Sequence, residues 1–309
     1  MSLKRRKFLI LSSLLSGFGI AVFAKIFGKQ RANISTANTA KPELAPTPAK
    51  ADAEKLLLRF VSVADTGTGA REQYAVADAM HNYYQQNPYD LVVLAGDNIY
   101  NNGEIEKISA VFEQPYQALL KQGVKFQACL GNHDIRTDNG DPQIKYPGFN
   151  MSGRYYTFRR GDVQFFALDT NNNADWKTQL PWLEKELSNS NAPWKIVFGH
   201  HQIYSSGHYG MNQAFIEMLT PIFQKYGVPL YINGHDHHYE RSQSLKGTTY
   251  LICGAGAGTR PVGKSPVAAY AVERLSFAAY EVYSDRIIIK GIGTDNQIFD
   301  QGIIKLPSV

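Results

Sequence analysis

Cysteine is almost missing from this chain: two residues among 309, Cys129 in the run FQACLGNH and Cys253 in YLICGAG. That scarcity excludes a disulfide framework and any thiolate-rich metal site. Both cysteines lie in apolar, strand-like runs. Buried free thiols are expected, since a chain this long can bury a core without a staple; a location outside the cytoplasm leaves one disulfide between them open. A one-sided charge is missing too, once position is taken into account. The formal net charge is +5, but Lys4, Arg5, Arg6, Lys7, Lys25, Lys29 and Arg31 all fall within residues 1–31, which hold no acid. Subtracting those seven charges from +5 leaves −2 for residues 32–309. Composition therefore gives no ground for nucleic-acid binding by the folded part. No internal repeat is present either.

What is there is an apolar fraction of 44%, with 12% aromatic residues, as in a globular protein. At the N-terminus a cationic start is followed by 17 uncharged residues, Phe8 to Ala24. That layout suits a signal peptide and is close to the shortest membrane span. Arg5-Arg6-Lys7-Phe8-Leu9 resembles the twin-arginine export signal, which carries proteins that fold and take up cofactors before crossing the membrane. Residues 1–29 are thus expected to be a cleaved signal or, alternatively, an uncleaved anchor, and the domain to work outside the cytoplasmic membrane. Residues 30–54 are rich in Ala, Thr, Pro and Asn and read as a flexible linker. One folded domain is expected over residues 55–309.

Within it, short apolar runs alternate with helical patterns. LLLRFVSVAD, DLVVLAGD, VKFQACLGNHD, WKIVFGHH and VPLYINGHD suit strands buried on both faces. Residues 71–86, 104–122, 180–190 and 211–226 space their apolar side chains as helices do. Residues 153–170 and 275–293 read as hairpins. The fold class is α/β with added antiparallel strands.

In open α/β sheets ligands bind beyond the carboxyl ends of the strands. Here five strand ends carry Asp65, Asp97, Asn132 with His133, His200, and His235 with His237. Seven of the eight histidines lie in these motifs or in the loop after FGHH; His81 stands apart. Two carboxylates, an amide, three imidazoles and a nearby phenol form a mixed N/O set suited to Fe, Mn or Zn. It is too large for one four-coordinate zinc, and two ions sharing a carboxylate would accommodate it. The bland alternative for Tyr100 is packing in the core.

VADTG, GDNIY, GNHD, VFGHH and GHDH resemble, in order, the five motifs of the calcineurin-like metallophosphoesterases. Tyr100 in GDNIY points to the purple acid phosphatase branch, and QIKYPGFNMSGRYYTF to its small, tartrate-resistant type. The resemblance runs from Phe60 to Ser284. It implies a four-layer αββα sandwich of two mixed β-sheets flanked by helices, so that residues 55–309 form a metallophosphoesterase catalytic domain. It implies an acid phosphatase with two metal ions, Fe(III) plus divalent Fe, Zn or Mn, in which a metal-bound hydroxide attacks a small phosphate monoester. The first ion would take Asp65, Asp97, Tyr100 and His237. The second would take Asp97 as bridge, with Asn132, His200 and His235. His133 would orient phosphate or protonate the leaving group, or else brace its loop. His208 is similar to a second such catalytic histidine, with an ordinary exposed loop residue as the alternative. His201 and His238 are expected to be supporting or exposed. A monomer is expected, with membrane contact only through an uncleaved anchor.

Three other readings compete with this one. Gly258 to Ser265, GTRPVGKS, matches the P-loop pattern, but Pro261 removes a backbone donor and Pro266 stands where a helix should begin. A cysteine phosphatase fails because six residues separate Cys253 from Arg260 and no histidine precedes the cysteine. A phosphodiesterase or nucleotidase of the same fold remains the alternative, separated mainly by loops that line the pocket.

Overall fold

A computed structural model describes residues 55–306; the signal-or-anchor segment and the linker lie outside the described residues. The first half of the domain runs β1 (Leu58–Val63), α1 (Arg71–Gln86), β2 (Leu91–Leu94), α2 (Gln117–Lys121), β3 (Lys125–Ala128), α3 (Asp141–Lys145), β4 (Tyr156–Arg160) and β5 (Val163–Ala167). The second runs α4 (Trp176–Asn189), β6 (Trp194–Phe198), α5 (Gln213–Tyr226), β7 (Leu230–Asn233), β8 (Tyr239–Ser242), β9 (Thr249–Cys253), β10 (Ala268–Val272), β11 (Ser276–Val282), β12 (Arg286–Gly293) and β13 (Ile298–Lys305).

The strands form two mixed sheets, ordered β13-β12-β11-β1-β2-β3 and β10-β8-β9-β7-β6-β5-β4. In the first, β1, β2 and β3 are parallel neighbours. In the second, β5, β6, β7 and β9 are. Antiparallel strands complete each sheet.

Strand alternation assigns each side chain to a layer. Phe60 of β1 stacks on Tyr280 of β11 at 4.2 Å and meets Phe165 of β5 edge-on at 5.2 Å, across the two sheets. Trp194, Ile196 and Phe198 of β6 join this central core. Val197, between them, turns outward with Phe166 and Tyr231 to meet Leu183 and Leu187 of α4 and Leu219 and Phe223 of α5. On the other side, Tyr83 of α1 reaches Phe277 of β11 at 5.9 Å. Helices thus cover the outer faces of a two-sheet sandwich, as expected.

Two helices depart from the sequence reading. Residues 104–122 are not one helix but a 3₁₀ turn (Ile105–Lys107), a π turn (Ser109–Glu113) and the short α2. Pro115 lies between them, lacks an N–H and crowds the carbonyl four residues back. α4 begins one turn before the expected Leu180, because the Asp175 carboxylate accepts the Thr178 N–H and caps the helix there. After Lys264-Ser265 no helix follows; the chain passes to β10.

Candidate metal centre

The loops after β1, β2 and β3 and those after β6 and β7 carry the polar residues, and adjacent parallel strands bring their carboxyl ends together. Asp65, Asp97 and His235 turn through the left-handed region, with φ of 57°, 52° and 67°. That conformation is uncommon outside glycine and concentrates at functional loops. Each carboxylate is anchored through one oxygen: Asp65 Oδ2 accepts the His235 N–H at 2.9 Å, and Asp97 Oδ1 accepts the His133 N–H at 2.8 Å. The other oxygen of each stays free for the centre. Glycine permits this closeness, since a Cβ on Gly131 would lie 2.2 Å from Asp97 Oδ1.

Two groups of donor atoms result. Around the Tyr100 oxygen stand Asp65 Oδ1 at 3.0 Å, Asp97 Oδ2 at 3.0 Å and His237 Nε2 at 3.2 Å. Around His200 Nε2 stand Asn132 Oδ1 at 3.1 Å, His235 Nδ1 at 3.3 Å and Asp97 Oδ2 at 3.4 Å. Asp97 Oδ2 belongs to both groups. All seven expected ligands therefore converge, and Tyr100 points its hydroxyl at carboxylates rather than into the core.

These donors fit metal cations. One phenol proton cannot serve two carboxylates and an imidazole. Among the described residues Asp65 and Asp97 pair with histidines and with no lysine or arginine. Buried carboxylates need compensating positive charge. Burial opposes ionisation of Asp97, yet His200 and His133 hold it well below the usual carboxylate range. Burial likewise opposes a charge on His200, but Asp97 outweighs it and raises the imidazole to about 9. Burial, followed by the His200 charge, lowers His235 to about 2 and His201 to about 3. Burial and then Asp65 and Asp97 push the Tyr100 phenol far up. His200 Nδ1 bonds the Ala95 carbonyl at 2.9 Å, which aims Nε2 at the centre.

Buried acids and one hydroxyl seat these loops. Asp134 accepts the N–H groups of Asn98, Ile99 and Gly131. Asp236 accepts the N–H groups of His208 and Tyr209 and the hydroxyl of Ser205. Glu240 takes the Ser206 N–H and hydroxyl and pairs with buried His238. Thr170 Oγ1 accepts the N–H groups of His200 and His201, so its own proton goes to His201 Nδ1 at 3.0 Å. A neutral His201 then carries its proton on Nε2. The sequence reading gave Asp236 and Thr170 no role; Asp236 stood inside GHDH, while Thr170 lies in no motif.

His201 lines a cavity of about 400 Å³ with Asn132, Ile135, Arg136, Asn172 and His235. His133, next to Asn132 in the chain, has its ring 4.4 Å from that of Tyr100 and Nε2 3.9 Å from Asp97 Oδ2. Arg136 donates to that Nε2 at 3.3 Å, and Nδ1 donates to the Asn101 carbonyl at 2.6 Å. His208 is exposed and touches no ligand candidate. Its neighbour Tyr209 stacks on His235 at 4.0 Å. Cys129 and Cys253 are buried free thiols.

Residues 58–239 match the calcineurin-like phosphoesterase family. The chain is 32% identical over 245 residues to purple acid phosphatase 17 of Arabidopsis thaliana, covering 68% of this chain and 70% of the relative. It is 28% identical to human tartrate-resistant acid phosphatase type 5, covering 68% and 76%. In fold it resembles the purple acid phosphatase from yellow lupin seeds (TM-score 0.69, 18% identity, 80% of this chain and 53% of that one). It also resembles GAP50, described as the anchor in the inner membrane complex of Plasmodium (TM-score 0.73, 21% identity, 82% and 90%).

Proposed function

Because the chain belongs to the calcineurin-like phosphoesterases, in their purple acid phosphatase branch, we propose that it is an exported acid phosphatase hydrolysing phosphate monoesters at an iron-containing centre. The family membership itself carries the coarser statement, a dinuclear-metal hydrolase acting on phosphate esters. The observation that supports the finer one is the Tyr100 hydroxyl lying 3.0 Å from both Asp65 and Asp97. A hard, anionic phenolate among hard carboxylates favours a ferric ion.

In this reading Asp65, Asp97, Tyr100 and His237 hold one ion, and Asp97, Asn132, His200 and His235 the other. When bound, the pair supplies an activated water and neutralises charge on the phosphoryl oxygens. The chain's own groups do the rest. His201, with its proton on Nε2, and Arg136 offer donors to a phosphoryl group in the cavity. His208 from its exposed loop would serve the leaving oxygen as a proton donor, and His133 beside Asp97 would join it once its Nε2 takes up a proton in place of the Arg136 hydrogen bond.

Export rests on the twin-arginine-like start and the apolar run after it. Among the described residues no helix is long and apolar enough to cross a membrane. Replacing Arg5 and Arg6 together by lysine would strand the protein in the cytoplasm, and unchanged export would refute this route. The catalytic reading is tested by comparing p-nitrophenyl phosphate with bis(p-nitrophenyl) phosphate at acidic pH, using the metal-loaded protein. A higher kcat/KM for the monoester is expected; the reverse would assign the chain to the phosphodiesterases.

A further inference from the structure

The end of the sandwich opposite the metal-bearing loops collects positive charge. The parallel strands of both sheets begin there and run toward the centre. The Leu57 N–H bonds the Val282 carbonyl at 2.8 Å and the Leu306 N–H the Asp285 carbonyl at 2.9 Å, so the entry to β1, the β11–β12 turn and the end of β13 lie side by side. The Trp194 indole of β6 donates to the Tyr283 carbonyl at 2.8 Å and joins the second sheet to the same end. Six exposed cations stand here: Lys55, Lys121, Lys125, Arg159, Lys246 and Lys305. Among the described residues none of the six makes an ion pair. Against them the loops and turns of this end hold the acids Asp90, Asp162 and Asp285, and Asp285 pairs with Arg286 at 2.9 Å. Over residues 55–309 as a whole, 24 acids outnumber 23 lysines and arginines, so the excess is local. Ile303 of the edge strand β13 is 58% exposed, and Lys305 shares its face of the strand. Both border a cavity of about 600 Å³ with Ser242, Gln243, Ser244 and Thr249.

We propose that this end is a docking face for an anionic lipid bilayer, which leaves the metal centre turned to the aqueous side. Surface cations without partners are drawn to a sheet of phosphate headgroups, and each adds to the attraction. Ile303 beside Lys305 supplies an apolar contact at the headgroup level, and the hydroxyls and amides of the cavity donate to headgroup oxygens. Chain order favours a bilayer over a soluble polyanion. Residues 1–54 lead into the domain at this end, and within them Phe8 to Ala24 is a run of 17 uncharged residues behind four cations. A run that short is near the lower limit of a span, and a basic surface reinforces a weak apolar anchor. β1 covers six residues, so the centre stands about 20 Å from the headgroups. Substrates then arrive from the water, and the phosphates of the bilayer stay out of reach. The docking face is independent of which ester the centre hydrolyses.

The test places the metal-loaded full chain on vesicles of phosphatidylcholine, alone or mixed with phosphatidylglycerol, and follows acetylation of its lysines by mass spectrometry. On the mixed vesicles Lys121, Lys125, Lys246 and Lys305 should react about fivefold or more slowly than on phosphatidylcholine. Exposed Lys107 and Lys177, which follow the carboxyl ends of β2 and β5, should react alike on both. High salt should erase the difference. The double variant Lys125→Gln, Lys246→Gln should lose the protection at Lys121 and Lys305 while keeping the native Tm. Equal reactivity on the two kinds of vesicle, or slowing that reaches Lys107 and Lys177 as well, would overturn the docking face. Protection that appears on phosphatidylcholine and grows with protein concentration would put a second copy of the chain there instead. Protection by soluble polyphosphate but not by vesicles would assign the face to a soluble polyanion, and either result overturns lipid docking.

Discussion

The Asp236 carboxylate accepts the backbone N–H of His208 at 3.0 Å, so an acid lying between two metal-ligand candidates also seats the loop of that histidine. Tyr209 and Ser205 donate to the same carboxylate. Asp236→Asn replaces one acceptor oxygen by a donor facing other donors. Activity should fall about tenfold or more, because three donors of the His208 loop lose their charged acceptor, while metal content is retained. Metal lost in parallel with activity would show that Asp236 acts on the ligand turn rather than on the His208 loop.

The Thr170 hydroxyl fixes which nitrogen of His201 carries a proton, and that proton lies on a wall of the cavity over the metal centre. His201→Phe preserves a ring beside His235, 4.4 Å away, and removes the donor. Losing one hydrogen bond to an anionic phosphoryl oxygen should lower kcat/KM about tenfold or more, with two metals still bound. An unchanged kcat/KM would place this N–H out of reach of substrate.

Asp97 Oδ2 lies within reach of both donor groups, 3.0 Å from the Tyr100 oxygen and 3.4 Å from His200 Nε2. Asp97→Ala should therefore abolish activity and leave less than one metal per chain. Asn132→Ala, which touches only the His200 group, should keep one metal. Elemental analysis of the two variants decides it, and an active Asp97→Ala protein would refute the bridge.

Much of this centre was legible because open α/β sheets place polar residues at strand ends, and five motifs ended in such residues. What the sequence hid was support supplied from elsewhere in the chain. Thr170 comes from a hairpin with no ligand of its own. β8 hid for a related reason: Tyr-Glu-Arg-Ser has little strand character, and its Arg241 is explained only by Asp300 of β13, 2.8 Å away. The break at Pro115 was visible but was outweighed by helical spacing on either side.

His200 gives the centre a defined pH response. Its metal-free imidazole is raised from 6.5 to about 9, Asp97 outweighing the opposing effect of burial. A raised folded value stabilises the fold fully below 6.5, and that contribution is lost as pH rises through about 9. A metal needs the neutral imidazole, so loading expels the proton and becomes more favourable across the same window. The rise in Tm on metal loading should thus grow between pH 6.5 and 9. A flat difference would mean that His200 is already neutral in the metal-free fold.

Tyr100 separates an iron site from other dinuclear centres. Its oxygen stands 3.0 Å from Asp65 Oδ1 and Asp97 Oδ2 and 3.2 Å from His237 Nε2, positions that three ligands of one cation would share. Burial and those two carboxylates disfavour a bare phenolate, so only a strongly acidic cation displaces the proton. A ferric ion does so and gives phenolate-to-iron charge transfer in the visible range; zinc or manganese(II) bound to the same oxygen leaves the protein colourless. The oxidised native protein should be purple, and Tyr100→Phe should lose the band while retaining its hydrogen-bonded neighbours. A colourless native protein holding two metals would show that Tyr100 serves the fold, and would remove the observation on which the iron assignment rests.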